Sequence, residues 1–227
     1  MALPHKFLVA QAHLIMALHF QDLIPRLAVG LGTLPLLYVV LAVAPLIRAL
    51  VAVVICTLSL LETRTAARAH LDLDECPACR LFRNYLIVLG SAMAFLAWRC
   101  SRSLLVSLVG IAFASDAGAY FVGRALGNIP LVPSISPTKT VEGALGGLTA
   151  AWLFAHFLAP LYFEFWLVLV LGVSAQLGDL IESAWKRHVQ VSESGTLFRA
   201  HGGVLDRFDS VFGVALVAFL LLRDSNA

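Results

Sequence analysis

An all-α bundle of seven or eight helical segments threaded through a lipid bilayer follows from three features of the chain. Of its 227 residues 60% are hydrophobic and only 13% charged, and the mean hydropathy is +0.88. A soluble domain carries about 25% charged residues, so this much apolar side chain exceeds what one buried core absorbs, and lipid must be the solvent. The apolar residues also fall into runs close to the ~20 residues that a span needs. The polar residues gather between those runs, most densely near the C-terminus, where Gln176, Gly178 and Asp179 lead to Ser183, Lys186 and Arg187, then to His201, Gly202, Gly203, Asp206, Arg207 and Asp209.

Taken in order, Phe7 to Ile24 is interrupted by His13, His19, Gln21 and Asp22, so it is either a first span or an interfacial helix. No convincing signal-peptide cleavage site accompanies it. Leu27 to Ala44 and Ala49 to Leu61 are apolar runs parted by Pro45 and Arg48, which predicts a tight helical hairpin. Glu62 to Asn84 reads as a polar loop of mixed charge. Tyr85 to Trp98 and Ser103 to Phe121 are two further spans, parted by Arg99 and Arg102. Val122 to Gly143 reads as a loop rich in Gly, Pro and Ser. Ala144 to Phe163 and Phe165 to Ile181 form a hairpin around Glu164, and Val211 to Leu222 closes the chain. A single membrane domain, 1–227, is expected, with N-terminal spans in 1–102 and the chemistry in 103–227; no internal repeat is evident.

Paired spans separate the loops 62–84, 122–143 and 182–209, so all three face one side. Their Lys and Arg residues number four, two and four, against Arg48, Arg99, Arg102 and Arg223 on the other side. By the positive-inside rule the three loops face the cytoplasm. The net charge of +2 is too small to point to nucleic acid. The four cysteines do not make a disulfide framework. Cys76-Pro77-Ala78-Cys79 is a single C-x-x-C; a zinc site would need two more ligands, and only His70 is near in sequence. A loop turn at Pro77 is the expected reading.

Three clusters carry possible chemistry. The first is Ser115 to Tyr120 with Gly123 and Arg124. Asp116 lies within an apolar span, where a carboxylate costs ~2.5–3.5 kcal/mol at mid-membrane, and helical spacing puts Asp116, Tyr120 and Gly123 on one face. A structural Asp bonded to a neighbouring helix is the competing explanation. The second runs from Ser134 to Gly143 and on to Gly146 and Gly147. Ser136 is expected as the N-cap of a helix with Pro137 in its first position. Such an N-terminus favours a phosphate, and Lys139 beside Thr140 adds a point charge. The G-x-x-x-x-G-K spacing of a Walker A loop is absent, and an ordinary capped helix would explain the segment by itself.

The third cluster is the C-terminal one. Asp179, Glu182, Ser183 and Lys186 line one helical face by i, i+3, i+4, i+7 spacing. Asp206 and Asp209 stand three apart at the start of the last helix, so both can point at one site. Hard oxygen ligands suit Mg²⁺, which takes one or two carboxylates plus substrate phosphates. His201 could bind phosphate or stabilise the loop. A salt-bridged loop in which Arg187 and Arg207 neutralise the acids is the alternative.

Lys186-Arg187, Gly195, His201-Gly202-Gly203, Asp206-Arg207 and Asp209 resemble the signature of the phosphatidate cytidylyltransferase (CDP-diacylglycerol synthase) family. Asp116 to Arg124 and Ser136 to Gly147 are similar to that family's upstream motifs, in the same order. The resemblance covers about Ser103 to Leu222. The chain departs from the pattern at Ser192-Glu193, where the family has Lys-Asp, and at Arg199-Ala200, where Pro-Gly is common. It departs too at Ala117, usually Ser or Thr, and at Val141, usually Trp.

The resemblance implies attack of a phosphatidate phosphate on the α-phosphorus of CTP, giving CDP-diacylglycerol and pyrophosphate. It implies catalytic roles for Asp179, Lys186, Arg187, Glu193, Asp206 and Arg207. Substrate contacts would come from Asp116, Ser136, Lys139, Thr140, His201, Gly202 and Gly203. Asp179, Glu193, Asp206 and Asp209 would hold Mg²⁺, with room for a second cation. The partners are CTP and a membrane phospholipid, with no nucleic acid; a homodimer is compatible with this. The setting is an integral membrane protein with a cytoplasmic-side site, a bacterial inner membrane being favoured over an organelle. A related CTP-dependent transferase acting on an isoprenoid alcohol or ether lipid, and a non-catalytic relative or transport protein, are the alternatives.

Overall fold

A computed structural model describes residues 43–68, 76–159, 163–195, 197 and 202–222, all within one compact unit, Val43–Ala227. The expected segments 7–24 and, but for its last two residues, 27–44 lie outside them. The described chain forms six helices and one two-stranded ribbon: α1 (Pro45–Arg68), α2 (Pro77–Arg99), α3 (Arg102–Leu126), β1 (Pro130–Val132), β2 (Ser136–Thr140), α4 (Val141–Leu158), α5 (Phe165–His188) and α6 (Leu205–Leu222). Helices α1 to α5 are each long and apolar enough to cross a membrane. The all-α, polytopic membrane architecture expected from the sequence is the one observed, and this is an integral membrane protein.

The helices run further than the apolar runs alone suggest. Helix α1 does not stop at Leu61 but carries Glu62, Arg64 and Arg68 on its last turns, and it begins at Pro45 rather than after Arg48. Proline is tolerated in a first turn because its missing N–H has no partner there in any case. The Arg48 side chain turns inward and donates to the Cys100 carbonyl at 3.4 Å. Helix α2 likewise starts at Pro77, with Cys76 as its N-cap. Polar residues near a membrane surface thus extend spans instead of ending them.

Large apolar side chains such as Leu50, Val54, Leu153, Phe157, Trp166 and Val170 lie on the outside of the bundle, while Ser59, Ser115, Ser174, Glu182 and Ser210 are buried within it. That inversion of a water-soluble surface is what lipid as solvent requires. Between α2, α5 and α6 the apolar packing is built from Phe82, Leu86, Leu89, Trp185, Leu205 and Phe212. Phe82 stacks on Trp185 with ring centroids 4.8 Å apart and planes 11° from parallel.

Two helix pairs approach closely because glycines face each other. In the α3–α4 pair a side chain at Gly118 would strike the Gly146 carbonyl and the Ala150 side chain. In the α5–α6 pair Gly178 lies against the Asp209 carbonyl and Gly213 against that of Ser174. Small residues let membrane helices pack backbone to backbone. The α5–α6 approach sets the site, since it places the backbone of Asp209 directly beside Gly178, the residue before Asp179.

The 122–143 segment is the main departure from the sequence reading. Helix α3 continues to Leu126, and residues 130–140 form an antiparallel ribbon pairing Pro130 with Thr140 and Val132 with Ser136. Ser136 is therefore not an N-cap, nor is Pro137 a first helical residue. Thr140 is the N-cap of α4, its hydroxyl accepting from the Gly143 N–H at 3.1 Å. The β-branched Thr138 and Thr140 favour extended backbone, and Pro137 is accommodated on a short exposed ribbon. Glu142 in the first turn accepts from the Ile129 N–H at 3.2 Å and fastens the ribbon to the helix.

Candidate active site

The polar chemistry collects at one end of the bundle. There the C-termini of α1, α3 and α5 meet the N-termini of α2, α4 and α6: Glu62 reaches the Val204 N–H, Arg187 the Ile135 carbonyl, and Cys76 the His188 ring. The described helix ends that flank the three connecting segments thus lie on one side, as pairing of the spans predicts.

Asp179 and Glu182 on α5 and Asp209 on α6 offer carboxylate oxygens that all lie within 4.8 Å of one another. The i, i+3 spacing brings the first two to one face, and the glycine-lined crossing brings the third. Ser210 extends the group: its hydroxyl donates to Asp116 Oδ1 on α3 at 2.9 Å, and its N–H donates to Asp209 Oδ1 at 2.7 Å. Four acidic side chains from three helices therefore share one polar centre. Two lysines face it. Lys139 on β2 sits 2.6 Å from Asp179 Oδ2, and Lys186 sits 3.3 Å from Glu182 Oε2.

Four carboxylates against two ammonium groups leave the centre short of positive charge. Glu182 is only 2% exposed, and its Oε1 is buried with no hydrogen-bond partner. A buried carboxylate oxygen without a donor is costly unless the group takes up a proton or a cation meets it. Clustered hard oxygen donors with an unsatisfied lone pair fit a divalent cation.

Asp206 belongs to a second, adjoining network. Its Oδ1 accepts from Lys186 at 2.8 Å. Its Oδ2 accepts from the Ser194 N–H at 3.0 Å, the Ser194 hydroxyl at 2.7 Å and the Gly203 N–H at 2.7 Å. Lys186 therefore bridges the two groups, and Asp206 holds the loop between α5 and α6. Gly202 has φ +80°, in the left-handed region, and a side chain there would come within 2.6 Å of Glu193 Oε2 and 2.8 Å of Asp206 Oδ2. Glycine adopts that backbone without strain and leaves the space to the two carboxylates. Of the four carboxylates expected at one ion, the structure gathers Asp179 and Asp209 with Glu182; Asp206 and the exposed Glu193 stand over Gly202.

Among the other expected residues, Lys139 reaches the centre and Thr140 caps α4, while Ser136 lies in β2 where the ribbon pairs with Val132. Arg187 is exposed and donates through Nε to the Ile135 carbonyl at 3.2 Å, tying α5 to the ribbon. Arg207 is exposed on the first turn of α6. His201 lies outside the described residues, as does His70.

Sequence reasoning placed Glu182 on the right face without giving it a role, and it missed Glu62. The Glu62 carboxylate accepts from the Val204 N–H at 2.7 Å and the Leu197 N–H at 3.4 Å, and Gly195 and Gly203 pack directly against it. A helix contributed from the N-terminal half thus clamps the C-terminal loop. The available signal was an acid directly after the end of an apolar run, with no basic residue three or four positions away.

The C-x-x-C segment also differs from expectation. It is the capped start of α2, not a free turn: Cys76 Sγ accepts from the Cys79 N–H at 3.2 Å and lies 3.4 Å from His188 Nε2. The Cys76 thiol is brought down to about 7, first by its hydrogen bonding with Cys79 and further by His188.

The sequence profile of the cytidylyltransferase family matches residues 9–224. The chain belongs to the cytidylyltransferase family. Curated relatives are similar over about half of the chain. A phosphatidate cytidylyltransferase of Bacillus subtilis (strain 168) is 45% identical over 119 residues, 49% of this chain and 44% of the relative. That of Staphylococcus saprophyticus is 41% identical over 121 residues, 50% of this chain and 46% of the relative. That of Staphylococcus aureus (strain COL) is 43% identical over 123 residues, with the same coverage. The chain thus spans about half the length of the curated relatives it matches. The family expected from the signature at Lys186 to Asp209 is the one found.

Proposed function

We propose that this membrane protein transfers a cytidylyl group from CTP to phosphatidate, giving CDP-diacylglycerol and pyrophosphate. The observation that carries the reading is the acidic centre of Asp179, Glu182 and Asp209, flanked by Lys139 and Lys186, in a chain of the cytidylyltransferase family. The nucleophile is a phosphate oxygen of the lipid, already anionic near neutral pH, so no strong general base is needed. A bond forms between that oxygen and the α-phosphorus of CTP while the bond to the bridging oxygen of the β-phosphate breaks. Catalysis then rests on positioning and on neutralising charge.

In this reading Asp179, Glu182 and Asp209 hold Mg²⁺. When bound, that ion neutralises the triphosphate and orients its leaving group. Lys139, on the ribbon beside the N-terminus of α4, steadies the triphosphate with the helix dipole behind it. Lys186 keeps the acidic centre and Asp206 in register, and Asp206 shapes the Gly202-Gly203 loop. Arg187 and Arg207, at the bundle's end, face the pyrophosphate or the lipid headgroup. Phe82, Tyr85, Leu86 and Phe212 line a small apolar recess beside Glu182 and Asp209, which shields that side of the acidic centre from water. The ten-to-four distribution of Lys and Arg supports a cytoplasmic site, where CTP is found, in a bacterial inner membrane.

The deciding experiment supplies the purified chain with CTP labelled at the α-phosphorus and offers phosphatidate, a polyprenol phosphate or an archaeal-type ether lipid. Label passing preferentially into an organic-soluble phosphatidate product is the expected result. Preference for another acceptor would reassign the lipid, and no transfer to any of them would remove the cytidylyl-transfer reading.

A further inference from the structure

The α2 start and the α5 end hold a group of side chains that cytidylyl transfer does not use. Cys76, Cys79 and His188 place two sulfurs and a ring nitrogen within 4.8 Å of one another, although His188 is 112 residues from Cys76. We propose that these three residues bind a zinc ion, which fastens the C-terminal end of α5 to the N-terminal end of α2.

Geometry and donor chemistry agree on this. A tetrahedral ion with bonds of about 2.3 Å to sulfur and about 2.0–2.1 Å to nitrogen holds those two atoms about 3.6 Å apart. Cys76 Sγ and His188 Nε2 are 3.4 Å apart, so this pair already has nearly the spacing that the ion sets, and Cys79 Sγ lies within 4.8 Å of both. The Cys79 N–H donates to the Cys76 sulfur, a contact that favours the thiolate a metal requires. Soft sulfur with imidazole selects zinc over Mg²⁺, which prefers all-oxygen donors. The acidic centre around Asp179 and this group are therefore suited to different ions. Cys79 is buried, Cys76 half-buried and His188 exposed, so the ion reaches the site from the aqueous edge and one coordination position stays open to water.

The clasp has a structural consequence. His188 is the last residue of α5, two residues past Lys186 and six past Glu182. The stacked pair Phe82 and Trp185 already joins the same two helices just inside the membrane edge. A metal bond at the tip restrains the last turn of α5, which carries Lys186.

The test uses the full chain in detergent micelles on a tag free of histidine, with thiols kept reduced, titrated with Co²⁺ and then Zn²⁺. Wild type should develop a thiolate-to-cobalt charge-transfer band that Zn²⁺ abolishes. Cys76→Ser and Cys79→Ser should each weaken or remove it. His188→Ala, at an exposed position, should lower affinity by at least ~10-fold, the smaller loss known even for outer-shell partners. Cys56→Ser, Cys100→Ser and Asp179→Asn should leave the band unchanged. Absence of a thiolate band in wild type would overturn the proposal. So would a band that survives both cysteine replacements, or unchanged affinity in His188→Ala.

Discussion

Asp179 is the residue on which the site turns. It is half-buried, pairs with Lys139 at 2.6 Å and shares the carboxylate group with Glu182 and Asp209. Asp179→Asn keeps the shape and removes the charge that a cation and Lys139 both meet. Turnover of CTP should fall by at least ~10²-fold, about 2.7 kcal/mol of transition-state stabilisation, while the protein still inserts and elutes as wild type. Steady-state kinetics of the purified variant checks this, and near-normal turnover would make the carboxylate structural. Glu193 is a graded comparison: it stands over Gly202 rather than in the central group, so Glu193→Gln should cost less than Asp179→Asn in the same assay. The sequence made Asp179, Lys186 and Asp209 legible because charges inside apolar helices have few innocent explanations. It did not distinguish Asp206 from Asp209, since i, i+3 spacing puts both on one face. Their separation depends on which donors arrive from the Ser194 and Gly203 backbone, and those come from the tertiary fold.

At the level of elements, the α5–α6 crossing brings the carboxylates together, and glycines permit it. A side chain at Gly213 would collide with the Ser174 carbonyl and approach the Gly178 Cα at 3.3 Å, both rigid backbone. Gly213→Val should therefore push the helices apart, costing ~1–3 kcal/mol or more by overpacking and lowering activity although every carboxylate is retained. Gly172→Ala provides the contrast, because its nearest neighbour is the flexible end of Leu148 at 2.9 Å. Thermal denaturation in detergent together with turnover should show the first variant impaired and the second close to wild type. Equal behaviour of the two would mean the crossing does not set the site. Helix existence was legible from the apolar runs, but helix ends were not. Glu62, Arg68 and Cys79 read as loop residues by hydropathy, yet they belong to helices because intrahelical hydrogen bonding persists beyond the lipid edge. The ribbon at 130–140 escaped for a similar reason: Ser136-Pro137 satisfies the local rule for a helix start, and only pairing with Pro130 to Val132 overrides it.

Among the described residues, the bundle buries polar serines and Glu182 beside an apolar core, shows many large apolar side chains to lipid, and gathers its acidic cluster at one end. The clamp from Glu62 on α1 to the Val204 backbone shows that the N-terminal half helps build that end, although the signature residues all lie after Ser103. Membrane character and family were readable from the chain alone, whereas the clamp and the Cys76–His188 contact join residues more than a hundred positions apart and carry no local pattern. The central claim is that this end of the bundle couples CTP to a lipid phosphate, and pyrophosphate release measures it most directly. With purified protein, release should require CTP, Mg²⁺ and phosphatidate together and should match the CDP-diacylglycerol formed mole for mole. Release without lipid, or none with all components present, would contradict it.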